Sequence, residues 1–295
     1  MLQFTANIGR APNTIDAYGR AVEDHLRSCA AEETDPLLAR ANTVAAWIRD
    51  MLDRPSKTPP RAGTGLANAT IQQGLVAVRS FYEYLVEDGL REQNPVRRGQ
   101  AGRGGRRPRQ GLVRHIEQAP WIPNDDVWQR ILAACATESL HNRLMVTLAY
   151  DGALPREELV QLNVEDFEPA HRPIHLRAET TKSQRAREVA FGATSSQLFL
   201  AYLRERRTLF GRIDGPLFGS TSNRNYGAPL GPSSWSKTVE GIARRAAAAQ
   251  LSTHTFLHLR LTDLARADWT IDQIAQKRRP PRSGDHDALH PPVRP

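Results

Sequence analysis

The stretch that decides the fold is LMVTLAYDGALPREELVQLNVEDFE, residues 144–168. Its first third is apolar and continues a helical pattern over Leu140–Tyr150. Asp151-Gly152 interrupts that pattern, and Pro155 is well placed to open a second, shorter helix, because proline is comfortable in a first helical turn. The run Val164–Phe167 then reads as a short strand. Helix therefore gives way to strand within a few turns of chain, and the same mixture extends to both sides. Upstream, Asn124–Ala136 reads as a helix; downstream, Ile174–Leu176 and Glu188–Phe191 read as further strands. Helical patterns resume at Ser195–Leu209, Ser233–Ala248, Thr255–Ala267 and Ile271–Gln276. Helices around one small antiparallel sheet predict an α+β domain over residues 120–276, within a chain that is mainly α.

Further upstream the pattern is purely helical, from Pro12 to about Val96. Asn13 or Thr14 can cap a helix carrying Ile15, Tyr18, Val22 and Leu26 at helical spacing. Val44, Trp47, Ile48 and Met51 mark a second helix. A third begins near Asn68 or Thr70, presents Ile71, Leu75, Val78, Phe81, Tyr82 and Leu85 on one face, and stops at Asp88-Gly89 before Asn94-Pro95. These predict a small helical bundle over residues 12–96. Between the two domains, residues 97–119 open with RRGQAGRGGRRPRQGLVRH, a stretch with seven arginines and no acid. Such a stretch can be a solvated flexible linker. The missing acids favour a linker lying along a nucleic-acid backbone, with Arg97, Arg98, Arg103, Arg106, Arg107 and Arg109 meeting phosphates. The tail from Lys277, KRRPPRSGDHDALHPPVRP, has no helical period and departs from everything before it.

The bulk numbers agree with this division. The 295 residues suffice for two domains with proper cores, and the apolar share of 40% suits a globular chain. The net charge of +8 favours a polyanionic partner, because lysine and arginine displace counterions from phosphates. No apolar run approaches the roughly 18–20 residues that cross a bilayer, and MLQFTANIGR lacks the apolar centre of a signal peptide; the expected location is cytoplasmic, beside the nucleoid. Cys29 and Cys135 stand apart with no metal-ligand spacing, so buried thiols and no metal are expected.

Four segments, in order, resemble the tyrosine recombinase (phage integrase) family. Residues 144–168 resemble its first signature, in which an apolar helix leads to Gly-Leu-Arg-x-x-Glu-Leu and a Leu-x-x-x-Asp strand. STHTFLHLRLTDLARADWTIDQIA, residues 252–275, resembles the second signature, His-x-x-Arg-His and its helix. ETTKSQRAREVAF, residues 179–191, resembles the hairpin with a Lys before an Arg-x-Val-x-Phe strand. ATIQQGLVAVRSFYEYLVEDG, residues 69–89, resembles a helix of the family's core-binding domain. The resemblance spans roughly residues 12–276 and implies a helical core-binding domain followed by a catalytic-type domain. It implies a DNA strand transferase in which a Tyr hydroxyl attacks the scissile phosphate, leaving a 3′-phosphotyrosine and a free 5′-hydroxyl. Two arginines and a His bind the charged non-bridging oxygens, and a Lys protonates the leaving oxygen. No metal, cofactor or small-molecule substrate is implied; the partners are double-stranded DNA and other integrase protomers.

The resemblance places Lys182 at the hairpin Lys and His254 and His258 at the two histidines of the second signature. At three positions this sequence departs. Pro155 stands at the first Arg and Leu257 at the second. Arg156 is adjacent to Pro155, but one residue along a helix rotates a side chain by about 100° and raises it about 1.5 Å. Arg260 lies about a turn beyond Leu257. The nucleophile should follow the second signature by some thirty to forty residues, and the last tyrosine, Tyr226, precedes it. Synonymous codons of the tail, read from the second base, permit Ala-Gly-His-Arg and, further on, a Tyr spanning the codons of Leu289 and His290, provided Leu289 is encoded by CTA or TTA. An insertion or deletion near Lys277 would account for that relic and for the lost Tyr.

The leading expectation is a family member that keeps DNA binding and has lost strand cleavage, with Lys182, His254 and His258 vestigial. Its DNA-contacting residues are expected to be Thr70, Gln72 and Arg79 on the third bundle helix, the linker arginines, and Ser233, Ser234 and Lys237 near a helix N-terminus. For each of these a solvated polar face is the competing reading. Other functional readings are a regulator or competitor of an intact integrase, a recombinase that borrows a partner's Tyr, and non-functional debris.

Overall fold

The computed structural model describes residues 1–7, 9–55, 65–96, 112–113, 119–168 and 173–276. The linker arginines 97, 98, 103, 106, 107 and 109 and the tail 277–295 lie outside the described residues. The chain divides into two compact units, Met1–Gln118 and Ala119–Pro295.

In the first unit, α1 (Leu2–Asn7) precedes α2 (Pro12–Ala31), α3 (Ala41–Asp53) and α4 (Asn68–Glu87). The expected caps Asn13 and Thr14 lie inside α2 instead. Pro12 takes the first helical position with Ala11 before it, a site where proline's missing N–H costs nothing. Helices α2, α3 and α4 pack around Val44, Trp47, Ile71, Val78 and Tyr82, all nearly inaccessible to solvent. Each large apolar side chain buried in this way contributes about 1.5–3 kcal/mol. The tight packing shows at Gly74, where an added Cβ would stand 3.3 Å from the Trp47 ring. Gly89 ends α4 with φ of 73°, the left-handed conformation expected of it.

The bundle core contains polar groups held by hydrogen bonds and ring contacts. Trp47 Nε1 donates to Asp24 (2.9 Å), which also accepts from Arg54 (2.8 Å). Burial opposes ionisation of Asp24, but the hydrogen bonds from Arg54 and Trp47 outweigh it and hold its pKa below the ordinary value. His25, fully buried, shares a 2.9 Å hydrogen bond with the Tyr82 hydroxyl and meets the Trp47 ring edge-on at 5.0 Å. Burial pushes its pKa down to about 4, so the imidazole is neutral at pH 7. Arg91 lies 4.7 Å over the Tyr82 ring and donates to the carbonyls of Pro36 (3.3 Å) and Ala39 (2.9 Å).

The second unit is the α+β domain: α5 (Asp125–Ala136), α6 (Leu140–Asp151), α7 (Arg156–Val160), β1 (Pro173–Leu176), β2 (Arg187–Ala190), α8 (Ala193–Phe210), α9 (Pro232–Arg245), α10 (Thr253–Arg266) and α11 (Ile271–Gln276). Strands β1 and β2 pair antiparallel, with Ile174 opposite Val189 and Leu176 opposite Arg187. The expected strand at Val164–Phe167 does not form. Residues Val164–Asp166 make a 3₁₀ turn instead, because the Asp166 carboxylate accepts the Asn163 N–H at 2.7 Å and closes the backbone on itself. Phe167 keeps one isolated bridge to Ile174, and its ring stacks on Phe199 at 4.3 Å. Helix α9 stops at Arg245, short of the expected Ala248, with Ala247 at φ 49°. The core is built on Ile131, Leu144, Leu148, Phe199, Trp235 and Phe256.

Candidate functional site

The site is assembled where α7 meets α9 and where α10 begins. Helix α6 ends at Gly152, and the chain turns sharply through Ala153 at φ 48°. The Leu154 N–H returns to the Ala149 carbonyl at 3.1 Å. There is little room: a Cβ on Gly152 would sit 2.9 Å from Leu154 Cγ and 3.2 Å from the Leu148 carbonyl. Pro155, at φ −57°, is the residue before α7, and its carbonyl accepts from Leu159 at 3.0 Å.

Helix α7 points its residues in two directions. Glu158 turns inward, where its carboxylate meets Arg187 of β2 in a two-pronged ion pair of 3.1 and 2.5 Å. Both side chains are under a tenth exposed, so the pair fixes the signature turn to the hairpin strand. Arg156 and Glu157 face outward. Arg156 donates from Nε (3.0 Å) and Nη2 (2.6 Å) to the same Glu157 oxygen, and from Nη1 to Ser236 Oγ of α9 (3.3 Å). Burial opposes the charge on Glu157, but the Arg156 hydrogen bond, a backbone hydrogen bond and the charges of Arg156 and His254 prevail and keep its pKa below the ordinary value. Glu157 thus feels the charge of His254, which stands exposed in the first turn of α10. That turn is fixed by Thr255 Oγ1, which accepts from the Ser252 N–H at 3.0 Å.

Pro155 and Leu257 differ in kind. Pro155 offers no donor, while Leu257 is buried on α10 at 6% exposure, so an arginine there would need a different setting. The arginine a turn later, Arg260, is also buried; its guanidinium lies 5.1 Å over the Tyr150 ring. The Tyr150 hydroxyl donates to Asp263 at 2.8 Å, and burial, with that bond, pushes its pKa up to about 12. Tyr202 is buried too, and Tyr226 donates its hydroxyl to the Leu209 carbonyl at 2.6 Å.

The remaining sequence-predicted residues are distributed as follows. Lys182 is exposed on the β1–β2 loop, which is shaped by Thr181: its hydroxyl oxygen accepts the Arg185 N–H at 3.0 Å. His258 is half-buried on α10, its carbonyl bonded to Thr262 Oγ1 at 2.8 Å. Ser233, Ser234 and Lys237 share the exposed face of α9, opposite Trp235 and Val239. In the first unit, Thr70 is exposed on α4, while Arg79 is partly buried and pairs with Glu83 at 3.7 Å. Gln72 is engaged within the protein, donating to the Val113 carbonyl at 2.9 Å. Sequence reasoning missed Glu157 and Ser236, and its only signal for them was the run of charge in PREEL and a serine-rich helix start.

Residues 121–277, more than half of the chain, match the model of the phage integrase family. The chain belongs to that family. Among curated integrase-family relatives, it is 26% identical over 250 residues to "Tyrosine recombinase XerC" of Stutzerimonas stutzeri (strain A1501), covering 84% of this chain and 73% of the relative. It is 30% identical over 156 residues to "Tyrosine recombinase XerD" of Caulobacter vibrioides, covering 52% of this chain and 44% of the relative. Its fold is that of an integrase from the Tn1549 transposon solved with transposon right end DNA (TM-score 0.65, 14% identity, 93% of this chain and 88% of the other). A lambda integrase dimer bound to a core site gives a TM-score of 0.64 at 12% identity, over 99% and 96%. At such identities the structural likeness concerns the fold alone.

Proposed function

We propose that this integrase-family chain binds double-stranded DNA and has lost strand cleavage. One observation carries the reading: Pro155 and Leu257 occupy the positions where the resemblance expects the two phosphate-binding arginines, and neither can donate to a developing charge. The neighbouring guanidiniums lie at other positions, Arg156 against Glu157 and Ser236 and Arg260 over the Tyr150 ring. Losing one preorganised donor costs about 10²–10³ in rate, and two such losses remove useful turnover. A Tyr borrowed from a partner would replace the nucleophile and leave both charge deficits in place.

Binding is supported by what remains. The net charge is +8, and the relatives include integrases solved on DNA. On this reading residues 12–96 are a DNA-binding helical domain, 97–119 a linker along the backbone, and 120–276 a catalytic-type domain. Thr70, Arg79, the linker arginines, Ser233, Ser234 and Lys237 contact phosphates, and Gln72 acts indirectly by holding residue 113. Lys182, His254 and His258 remain as binding groups, and further protomers share the DNA in the cytoplasm. The biological role is that of a regulator or competitor of an intact integrase. The test is fluorescence anisotropy on a labelled duplex across salt concentrations. Affinity should fall steeply with salt, with a slope near −0.9 per phosphate contact. Absence of binding at low salt would overturn the proposal.

A further inference from the structure

The guanidinium of Arg156 has one edge that suits an oxyanion, the parallel Nε and Nη2 donors, and both already point at one oxygen of Glu157. The third nitrogen is held by Ser236, which fixes the plane of the group against α9. Glu157 therefore occupies the place that a phosphate oxygen would take on this arginine. We infer that Glu157 is a built-in competitor of the DNA phosphate, capping Arg156 until the carboxylate swings aside. This rests on the reading of the site as a phosphate-binding one.

The structure allows such a movement. The Glu157 side chain is 39% exposed and the Arg156 side chain 36%, so neither is locked in a core and water can replace either partner. The neighbouring acid shows the contrast: Glu158 is buried with Arg187 and cannot move without leaving a buried charge. Two adjacent glutamates on one short helix thus have different work. Glu158 anchors the turn, and Glu157 sets how readily Arg156 accepts an anion from outside.

The inference predicts a gain of binding on removing a side chain's charge. In Glu157→Gln the repulsion of an incoming phosphate disappears and the Arg156 fork loses its ionic partner. A unit charge about 6 Å away, at an effective dielectric between that of water and about 20, corresponds to roughly three- to a hundred-fold in affinity. The salt slope should also steepen by about 0.9, because one more cation becomes available to phosphate. The measurement is anisotropy on one labelled duplex, at several salt concentrations, for the full-length wild type, Glu157→Gln, Glu157→Ala and Arg156→Gln/Glu157→Gln. Asp126→Asn, which removes an exposed acid on α5, controls for net charge.

Tighter binding and a steeper slope in both Glu157 variants, lost in the Arg156→Gln/Glu157→Gln protein and absent from Asp126→Asn, is the expected result. If the wild type binds and neither Glu157 variant binds more tightly than it, the inference is overturned and the DNA reading stands. An equal gain in Asp126→Asn also overturns it, since the effect is then one of net charge. If no variant binds DNA at any salt, the DNA reading fails and this inference fails with it.

Discussion

Glu158→Ala should be among the most damaging single substitutions in the second unit. The carboxylate it removes is 5% exposed and faces a guanidinium that is 8% exposed, at 3.1 and 2.5 Å. Arg187 has little else: its Nε finds no hydrogen-bond partner among the described residues. Removing the acid therefore leaves a buried cation whose desolvation is no longer offset. Breaking such a pair from one side costs about 3–5 kcal/mol, against a total stability of about 5–15 kcal/mol for a domain. For a unit of this size that corresponds to a melting point lower by roughly 10 °C. The double variant Glu158→Met/Arg187→Met removes both charges and fills the space, so it should recover to within about 1.5 kcal/mol of the wild type. The assay is urea unfolding followed by tryptophan fluorescence, since Trp121, Trp128, Trp235 and Trp269 all lie in this unit. A loss below about 1 kcal/mol in Glu158→Ala, or a double variant worse than the single, would refute the buried-pair reasoning.

Other consequences are smaller or more local. His25 has a folded pKa near 4, pushed down by burial from an ordinary 6.5, so its contribution is fully present above pH 6.5 and is lost as pH falls towards 4. Across that window the loss should approach about 3 kcal/mol, and His25→Gln should flatten the acid side of the stability profile in urea titrations at pH 7 and 4.5. Gly152→Ala should cost about 1–3 kcal/mol, because its Cβ would stand 2.9 Å from Leu154 in the turn before α7; thermal unfolding reads this directly. Lys237→Ala, on the exposed face of α9, should weaken duplex binding similarly for all sequences and reduce the salt slope by about 0.9, with no change in melting point.

The helices were legible in the sequence where their apolar period was strong. The α4 face of Ile71, Leu75, Val78 and Tyr82 is an example: each of these residues is buried. Reading went wrong where short polar side chains decide the backbone. Val164–Phe167 has a strand's composition, yet Asp166 captures the Asn163 N–H and bends the chain into a turn. The start of α2 misled for a related reason, since Asn13 and Thr14 look like caps and Pro12 begins the helix before them. At the site, order and spacing in the sequence are what assign Pro155, His254 and Leu257 to motif positions, and that assignment is part of the proposal. The use of Arg156 could not be read from the sequence. Its guanidinium is oriented by Ser236, 80 residues away in the chain, and by a glutamate that sequence alone does not distinguish from its neighbour Glu158.

The central claim is binding without cleavage, and one measurement tests it most directly. The purified full-length protein is allowed to select duplexes from a pool of fragmented genomic DNA, and the selected duplexes, nicked to trap any intermediate, are scored for SDS-resistant protein–DNA adduct. The account predicts salt-sensitive selection of DNA with no adduct. An adduct on the selected duplexes would contradict it, showing that strand cleavage survives without arginines at positions 155 and 257.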